Sequence, residues 1–259
     1  MVSEASLDLL VDGPVLDPRL VRIVGAQVRI NPLIAPVPDE GPDPVHLKWN
    51  MLYPVSTIQR STDPSHVSWS KGRDTPATFP RLKELRIISE TIPWIIQVKA
   101  MKDSRGITCA ELIDAIARDL NRNTGKGDYD ALPPATRNEV RAAYKYNRSP
   151  LPHVPGGMLG QGMKRLDFLR KNTMFAGIEV NDRVVKKTFG DVMPGVFVLK
   201  CSQNFMTKRE VEEQNKRMTR ERSRPASSSK GRRSTSRAGS TSIAIQSPSE
   251  HSDGDEDDF

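Results

Sequence analysis

The chain has 259 residues, of which 36% are hydrophobic, with twenty prolines and seventeen glycines. This composition excludes a large core and predicts one modest folded domain with long loops, part of the chain lying outside it. The net charge of +7 does not come from the C-terminal tail, because the eleven Lys or Arg that follow Cys201 are nearly balanced by ten Asp or Glu. The rest of the excess lies before Cys201, where no long basic run occurs. A generally basic surface is therefore favoured over a dedicated polyanion site.

Neither a secretory signal nor a membrane span is expected. The first residues lack a basic region followed by an apolar one, and no apolar run approaches the roughly 20 residues of a span. Cys109 and Cys201 lie far apart, without a CxxC pair or a neighbouring histidine. We therefore expect reduced thiols in an intracellular protein, cytoplasmic or nuclear.

The N-terminal part of the chain is weakly patterned. Residues 1–20 predict a flexible N-terminus, and the folded domain is expected over residues 21–202. The segment from Val21 reads as extended and is followed by a proline-rich connection that ends at Pro44. These residues supply little of the predicted fold.

Three strands are predicted from alternating apolar residues. The alternating sets are Leu47, Trp49 and Met51, then Leu85 and Ile87, then Trp94, Ile96 and Val98. Between the first and the second, residues 54–80 carry Ser, Thr, Asp and Pro and predict a long surface loop. Closing strands are predicted over residues 175–180 and 196–199.

The best-defined helix follows the third strand. Thr108 and Glu111 have capping-box spacing, and a buried stripe is predicted at Ile113, Ile116, Ala117 and Leu120. A second helix is predicted after Pro133-Pro134, and a short one from Arg165. Together these elements predict a single α+β domain with a small, mainly antiparallel sheet and two to three packed helices.

The C-terminal tail, residues 203–259, is predicted to be disordered, basic and Ser/Arg-rich at first and acidic at its end. A solvated helix over 207–222 is compatible with its capping and i,i+4 pairs. Kinase-type contexts surround four candidate phosphorylation sites, which are Ser234, Thr235, Ser247 and Ser252. The run beginning at Lys230 fits either a nuclear-localisation or nucleic-acid patch, or an uncommitted tail.

Several short motifs occur in a fixed order over about 150 residues. They are Asn31-Pro32-Leu33-Ile34, a strand bearing Trp49, Ala77-Thr78-x-Pro80, Pro93-Trp94-x-Ile96-x-Val98, Ile107-Thr108, Gly162-x-x-Arg165-x-Asp167-x-Leu169 and Phe175-x-Gly177-Ile178. In these motifs, residues from about 31 to 180 resemble a fungal family known as domain of unknown function 6699. The resemblance implies an α+β domain with an antiparallel sheet and packed helices, and it implies no activity. The family usually has His at the position of Asn31 and Asp at that of Asn50.

A glycine-rich loop is the main candidate ligand site. Its candidate residues are Gly156, Gly157, Gly160, Gly162, Lys164 and Arg165. Such a backbone beside two cations could cradle a phosphate. The P-loop pattern fails, however, because Met163 occupies its lysine position and no Ser or Thr follows Lys164. The alternative is a flexible connection, with the Arg165–Asp167 pair orienting the short helix that follows.

The remaining candidates give little chemistry. Trp69 lies in the long loop and is the tryptophan expected to be exposed, hence a candidate interface residue. The four histidines and two cysteines show no metal-ligand spacing, and no cofactor is expected. Cys109 could be activated at a helix start, but an inert helix cysteine is favoured.

Three functions are compatible with these observations. The first is a non-enzymatic, intracellular protein-interaction module with a phosphorylatable charged tail, its protein partner unknown. The second is a nucleic-acid-associated protein that uses the Arg/Ser-rich tail. The third is a phosphate-ligand binder or enzyme that uses the 155–165 loop. No catalytic residue is assigned, and oligomeric state is left open.

Overall fold

The computed structural model describes residues 14–38, 44–64, 66–151 and 154–203. The strands are β1 (Val15–Leu16), β2 (Arg29–Ile30), β3 (Leu47–Lys48), β4 (Gln59–Arg60), β5 (Thr78–Phe79), β6 (Arg81–Leu82), β7 (Glu84–Ile88), β8 (Ile96–Lys99), β9 (Met174–Glu179) and β10 (Val196–Ser202). The α-helices are α1 (Pro18–Val24), α2 (Cys109–Leu120), α3 (Lys126–Asp130), α4 (Pro134–Asn147) and α5 (Asp182–Phe189). Three 3₁₀ helices are η1 (Val55–Thr57), η2 (Gly156–Leu159) and η3 (Arg165–Leu169).

A four-stranded sheet organises the domain, in the order β8-β7-β10-β9. β7 and β10 run parallel, whereas β7–β8 and β10–β9 are antiparallel. The two-stranded pairs are β1–β6, which is parallel, and β2–β5 and β3–β4, which are antiparallel. The predicted α+β class with a mainly antiparallel sheet is confirmed.

One face of this sheet packs against α2. Along β7 and β8 every second side chain is buried, because successive residues of a strand point to opposite faces. The side chains of the core face join those of α2 in one cluster, which includes Leu85, Ile87, Ile96, Val98, Leu112, Ile113, Ile116 and Leu120. Each such side chain removed from water contributes roughly 1.5–3 kcal/mol. The strand–helix unit predicted from the sequence therefore forms the centre of the domain.

The predicted capping box at the start of α2 is present. Thr108 Oγ1 accepts from the Glu111 amide at 3.2 Å, and Glu111 Oε2 accepts from the Thr108 amide at 2.7 Å. Burial raises the pKa of the Glu111 carboxyl, but hydrogen bonds from Thr108 and Met101 and the nearby Arg105 outweigh that effect. The net result is a pKa below the ordinary value, so the carboxylate form is stabilised at this cap.

The outer face of the sheet is covered only in part, by α5. A second apolar cluster joins Val185 of α5 to Ile88, Val196 and Val198 of the sheet. α5 begins at Asn181, whose side-chain oxygen accepts from the Val184 amide at 3.2 Å. Towards β8 no element of the described ranges packs over the outer face.

In the N-terminal part of the chain, two predictions differ from the structure. The extended segment predicted from Val21 is wrong at its start, because α1 is capped by Asp17 and ends at Gly25, which has a φ of 62°. Residues 14–20, assigned to a flexible N-terminus, include β1, which pairs with β6. The possible helix at 207–222 lies outside the described residues.

Candidate functional site

The glycine-rich loop encloses a guanidinium group. Arg148 Nε donates to the Gly160 carbonyl at 3.0 Å, and its Nη2 donates to the Gly162 carbonyl at 2.7 Å. A phosphate cradle requires converging amide groups, whereas here two carbonyl groups converge on a cation. Gly156 and Gly157 begin the 3₁₀ helix η2, so the loop geometry does not favour anion binding.

Asp167 binds Arg148 and so helps to fix the same loop. Its carboxylate is fully buried and accepts from Arg148 Nη1 at 3.0 Å, from Asn147 Nδ2 at 3.0 Å and from the Lys164 amide at 2.9 Å. A buried carboxylate with these partners is satisfied in place. The predicted pair between Arg165 and Asp167 does not form. Instead each of these residues orients η3 through a different partner. The role of this motif in orienting the short helix is structural.

Arg165 is held by two other elements, although its buried Nε has no hydrogen-bond partner among the described residues. Its Nη1 donates to both carboxylate oxygens of Asp119, at 2.6 and 2.7 Å. Its guanidinium also lies over the Trp94 ring, 4.6 Å from the centroid. These contacts make Arg165, a predicted ligand residue, a bridge from η3 to α2 and to Trp94, which precedes β8. Lys164 is half-buried, and its ammonium has no ion pair with any residue in the described ranges.

The prediction that Trp69 is exposed is wrong. Only 3% of its surface is accessible, and its Nε1 donates to the Lys71 carbonyl at 2.9 Å. Its amide donates to the Ile58 carbonyl at 2.7 Å, and Arg73 covers the ring at 5.3 Å. The long loop folds back on the core through this tryptophan, so its ring is not an exposed contact surface.

Two departures from the family pattern have structural roles in this chain. Asn31 is fully buried, and its Nδ2 donates to the Pro76 carbonyl at 2.8 Å while its Oδ1 accepts from the Leu33 amide at 3.0 Å. Asn50 Oδ1 accepts from the Leu52 amide at 3.1 Å. Both asparagines therefore hold turns, and neither needs a chemical role.

Neither thiol is activated as a nucleophile. Burial raises the pKa of the Cys109 thiol to about 12, and burial also raises the pKa of Cys201. Within the described ranges no group of three or more metal-ligating side chains comes together. His153 and His251 lie outside those ranges, as do the four candidate phosphorylation sites in the tail.

The open half of the outer sheet face forms a groove of about 620 Å³. It is lined by β7 and β8, and by α1 together with residues 193–196, two segments that meet where Pro18 lies beside Gly195. We call this the outer groove. Four cationic side chains line it, those of Arg19, Arg22, Arg86 and Lys99, together with the single acidic side chain of Glu84.

Three of these four cations have no ion pair with a described residue, although Glu84 lies opposite Lys99 in the β7–β8 register. Arg22 lies 3.7 Å from Asp191 in an ion pair in which both side chains are largely exposed. The side chains of Arg19, Arg86 and Lys99 have no ion pair within the described part of the chain. Such charges attract an acidic partner over distances of about 10 Å. The sequence analysis did not identify this groove. The signal available was that Arg86 and Lys99 alternate with buried residues in their strands, which places both on the outer face.

These features define a small α+β domain with a capped helix on one sheet face and a cationic groove on the other. The chain belongs to the Family of unknown function (DUF6699), whose family model matches residues 47–187. The family resemblance drawn from the sequence motifs is confirmed. No curated protein and no solved structure gives a significant match to the chain. No helix in the described ranges is long and apolar enough to cross a membrane.

Proposed function

We propose that this protein is a non-enzymatic interaction module and that the outer groove is its protein-binding surface. The observation that carries the proposal is the half of the sheet's outer face that no described element covers, where three cationic side chains have no ion pair with a described residue. Because unpaired surface charges favour encounter with a partner of opposite charge, the partner surface should be acidic.

The lining also contains apolar contact area. Ile23 is 77% exposed on α1, and Met193 also lines the groove. An interface usually combines apolar contacts with a polar rim, and this groove offers both. A nucleic-acid surface would be expected to carry a longer basic stripe.

Of the two alternatives from the sequence, the contacts count against one and do not test the other. Phosphate binding at the glycine-rich loop would have to compete with Arg148, which already bonds the carbonyl groups of Gly160 and Gly162. Nucleic-acid association through residues 203–259 depends almost entirely on residues outside the described ranges. It stays a prediction, to be tested by salt-sensitive binding that is lost when 204–259 is deleted.

A peptide selection tests the proposed function directly. Random peptides of about twelve residues, displayed on phage, would be selected against the full chain. The proposal predicts enrichment of Asp and Glu, and loss of binding when the same peptides meet the variant Arg86→Glu. The matched control is Lys126→Glu, which reverses an exposed charge in α3, away from the groove lining. Equal binding by wild type and Arg86→Glu would contradict the proposal.

A further inference from the structure

The edge of β8 leaves backbone groups without partners among the described residues. The Ala100 amide donates to the Lys83 carbonyl at 2.8 Å, and the register then pairs Glu84 with Lys99 and Leu85 with Val98. In an antiparallel ladder, hydrogen-bonded and non-hydrogen-bonded pairs alternate. Lys99 and Gln97 are therefore in non-hydrogen-bonded pairs, and their N–H and C=O groups point away from β7.

Nothing in the described ranges satisfies these groups. β8 is the terminal strand of the sheet, and outside the β7–β8 ladder no hydrogen bond involves the backbone of Gln97 or Lys99. The open edge ends at Met101, whose amide donates to Glu111 Oε1 at 3.1 Å. A short row of strand donors and acceptors is thus available for pairing.

This edge is continuous with the outer groove. The side chains of Gln97 and Lys99 are exposed and line the groove, and Arg86 lies on the next strand. A segment added beside β8 would run about 4.8 Å from it and about twice that distance from β7. Its alternate side chains would lie on the outer face, within reach of Lys99 and Arg86.

We propose that the partner binds the β8 edge as an extended acidic segment, adding a fifth strand to the sheet with its Asp or Glu side chains at alternate positions over the outer groove. Main-chain hydrogen bonds to Gln97 and Lys99 would supply affinity, and the cations would select the acidic side chains. This inference rests on the proposed function and specifies its partner. The opposing interpretation is that the short edge, with Lys99 and the preceding Pro93, is protected against pairing.

The test uses a synthetic peptide of about eight residues in which Glu and Val alternate. Two derivatives carry the same number of N-methyl groups, placed on the Glu residues in one and on the Val residues in the other. In a paired strand only every second amide faces the neighbouring strand. One derivative should therefore bind the full chain at least about tenfold more weakly than the parent peptide, and the other within about threefold.

Amide hydrogen exchange on the full chain gives the second readout. With the parent peptide bound, the amides of Gln97 and Lys99 should exchange at least about tenfold more slowly. Equal effects of the two derivatives, or unprotected amides, would overturn the strand-addition mode. If Arg86→Glu still abolished binding in that case, the proposed function would survive it. Failure of the peptide to bind, or tighter binding of an oligonucleotide at these residues, would overturn both proposals.

Discussion

Arg165 donates two hydrogen bonds to Asp119, at 2.6 and 2.7 Å, and so joins η3 to the last turn of α2. The side chains of this pair are 18% and 11% exposed, and the guanidinium also covers Trp94. Three motifs that are well separated in the sequence therefore meet at one contact. The contact explains why a residue that resembles a ligand-binding arginine is structural.

Replacing Arg165 by alanine should destabilise the domain strongly. The Arg165→Ala variant leaves the largely buried Asp119 carboxylate with only the longer contact to Arg122, at 3.5 Å, and the loss of the closer partner costs about 3 kcal/mol. The free energy of unfolding, measured by urea denaturation, should fall by that amount. Glu139→Ala is the control, because it breaks the exposed ion pair with Arg170 and should cost less than about 1 kcal/mol. Equal losses in the two variants would contradict this interpretation of the contact.

Arg148 should keep the glycine-rich loop closed. In Arg148→Ala the carbonyl groups of Gly160 and Gly162 lose their donor and the buried Asp167 carboxylate loses its ion pair, so subtilisin should cut the loop at least about tenfold faster. Cleavage sites and rates can be followed by mass spectrometry. Met158→Ala serves as the control, since that side chain is 78% exposed. An unchanged cleavage rate in Arg148→Ala would show that the guanidinium does not hold the loop.

Gly177 should not tolerate a side chain. Its φ is 101°, and a Cβ would lie 2.4 Å from the backbone nitrogen of Pro36. Gly177→Ala should therefore lower the free energy of unfolding by about 3 kcal/mol or more, or prevent folding. Gly127→Ala is the matched control, because a Cβ there meets nothing within 4 Å and alanine favours the helix by up to about 1 kcal/mol. The melting temperatures of the two variants should move in opposite directions.

Cys109 should resist alkylation in the native protein. With a pKa of about 12, roughly one thiol in ten thousand is ionised at a pH of about 8. Iodoacetamide at that pH should label Cys109 only at the rate of unfolding, as read by peptide mass spectrometry. Rapid labelling under native conditions would mean that the thiol is accessible and activated.

The same thiol should make the folded state less stable as the pH rises above about 9. Its pKa is higher in the folded chain than the ordinary value of 9.0, so between these values the folded state binds more protons than the unfolded state. The contribution of Cys109 to the free energy of unfolding is therefore complete below about pH 9 and decreases as the pH rises towards 12. In Cys109→Ala this part of the pH dependence should disappear.

Local patterns predicted the elements that depend on local rules. Thr108 and Glu111 predicted the start of α2, and the alternation around Ile87 and Ile96 predicted the central strands. Both signals could be found in the sequence because capping and burial periodicity act between near neighbours. α5 was missed because its apolar residues are few and only Val185 is fully buried. α1 was missed because it is short and mostly exposed, so its caps Asp17 and Gly25 do not flank a clear apolar stripe.

The candidate site was the harder prediction, because it depends on contacts between distant segments. Trp69 looked exposed from its polar loop, yet Ile58 and Lys71 bind it in place. The outer groove combines α1 with β7, β8 and residues 193–196, and no short motif marks it. Only the topology shows that Arg19 and Lys99 share one surface.

The most direct test of the outer groove is a titration of the full chain with the Glu–Val peptide at two salt concentrations. The account predicts that affinity falls by at least about tenfold between about 0.05 M and about 0.5 M salt, and by a similar factor in Arg86→Glu at low salt. The variant Lys126→Glu should bind as wild type does. An Arg86→Glu variant that binds the peptide with wild-type affinity would contradict the central claim.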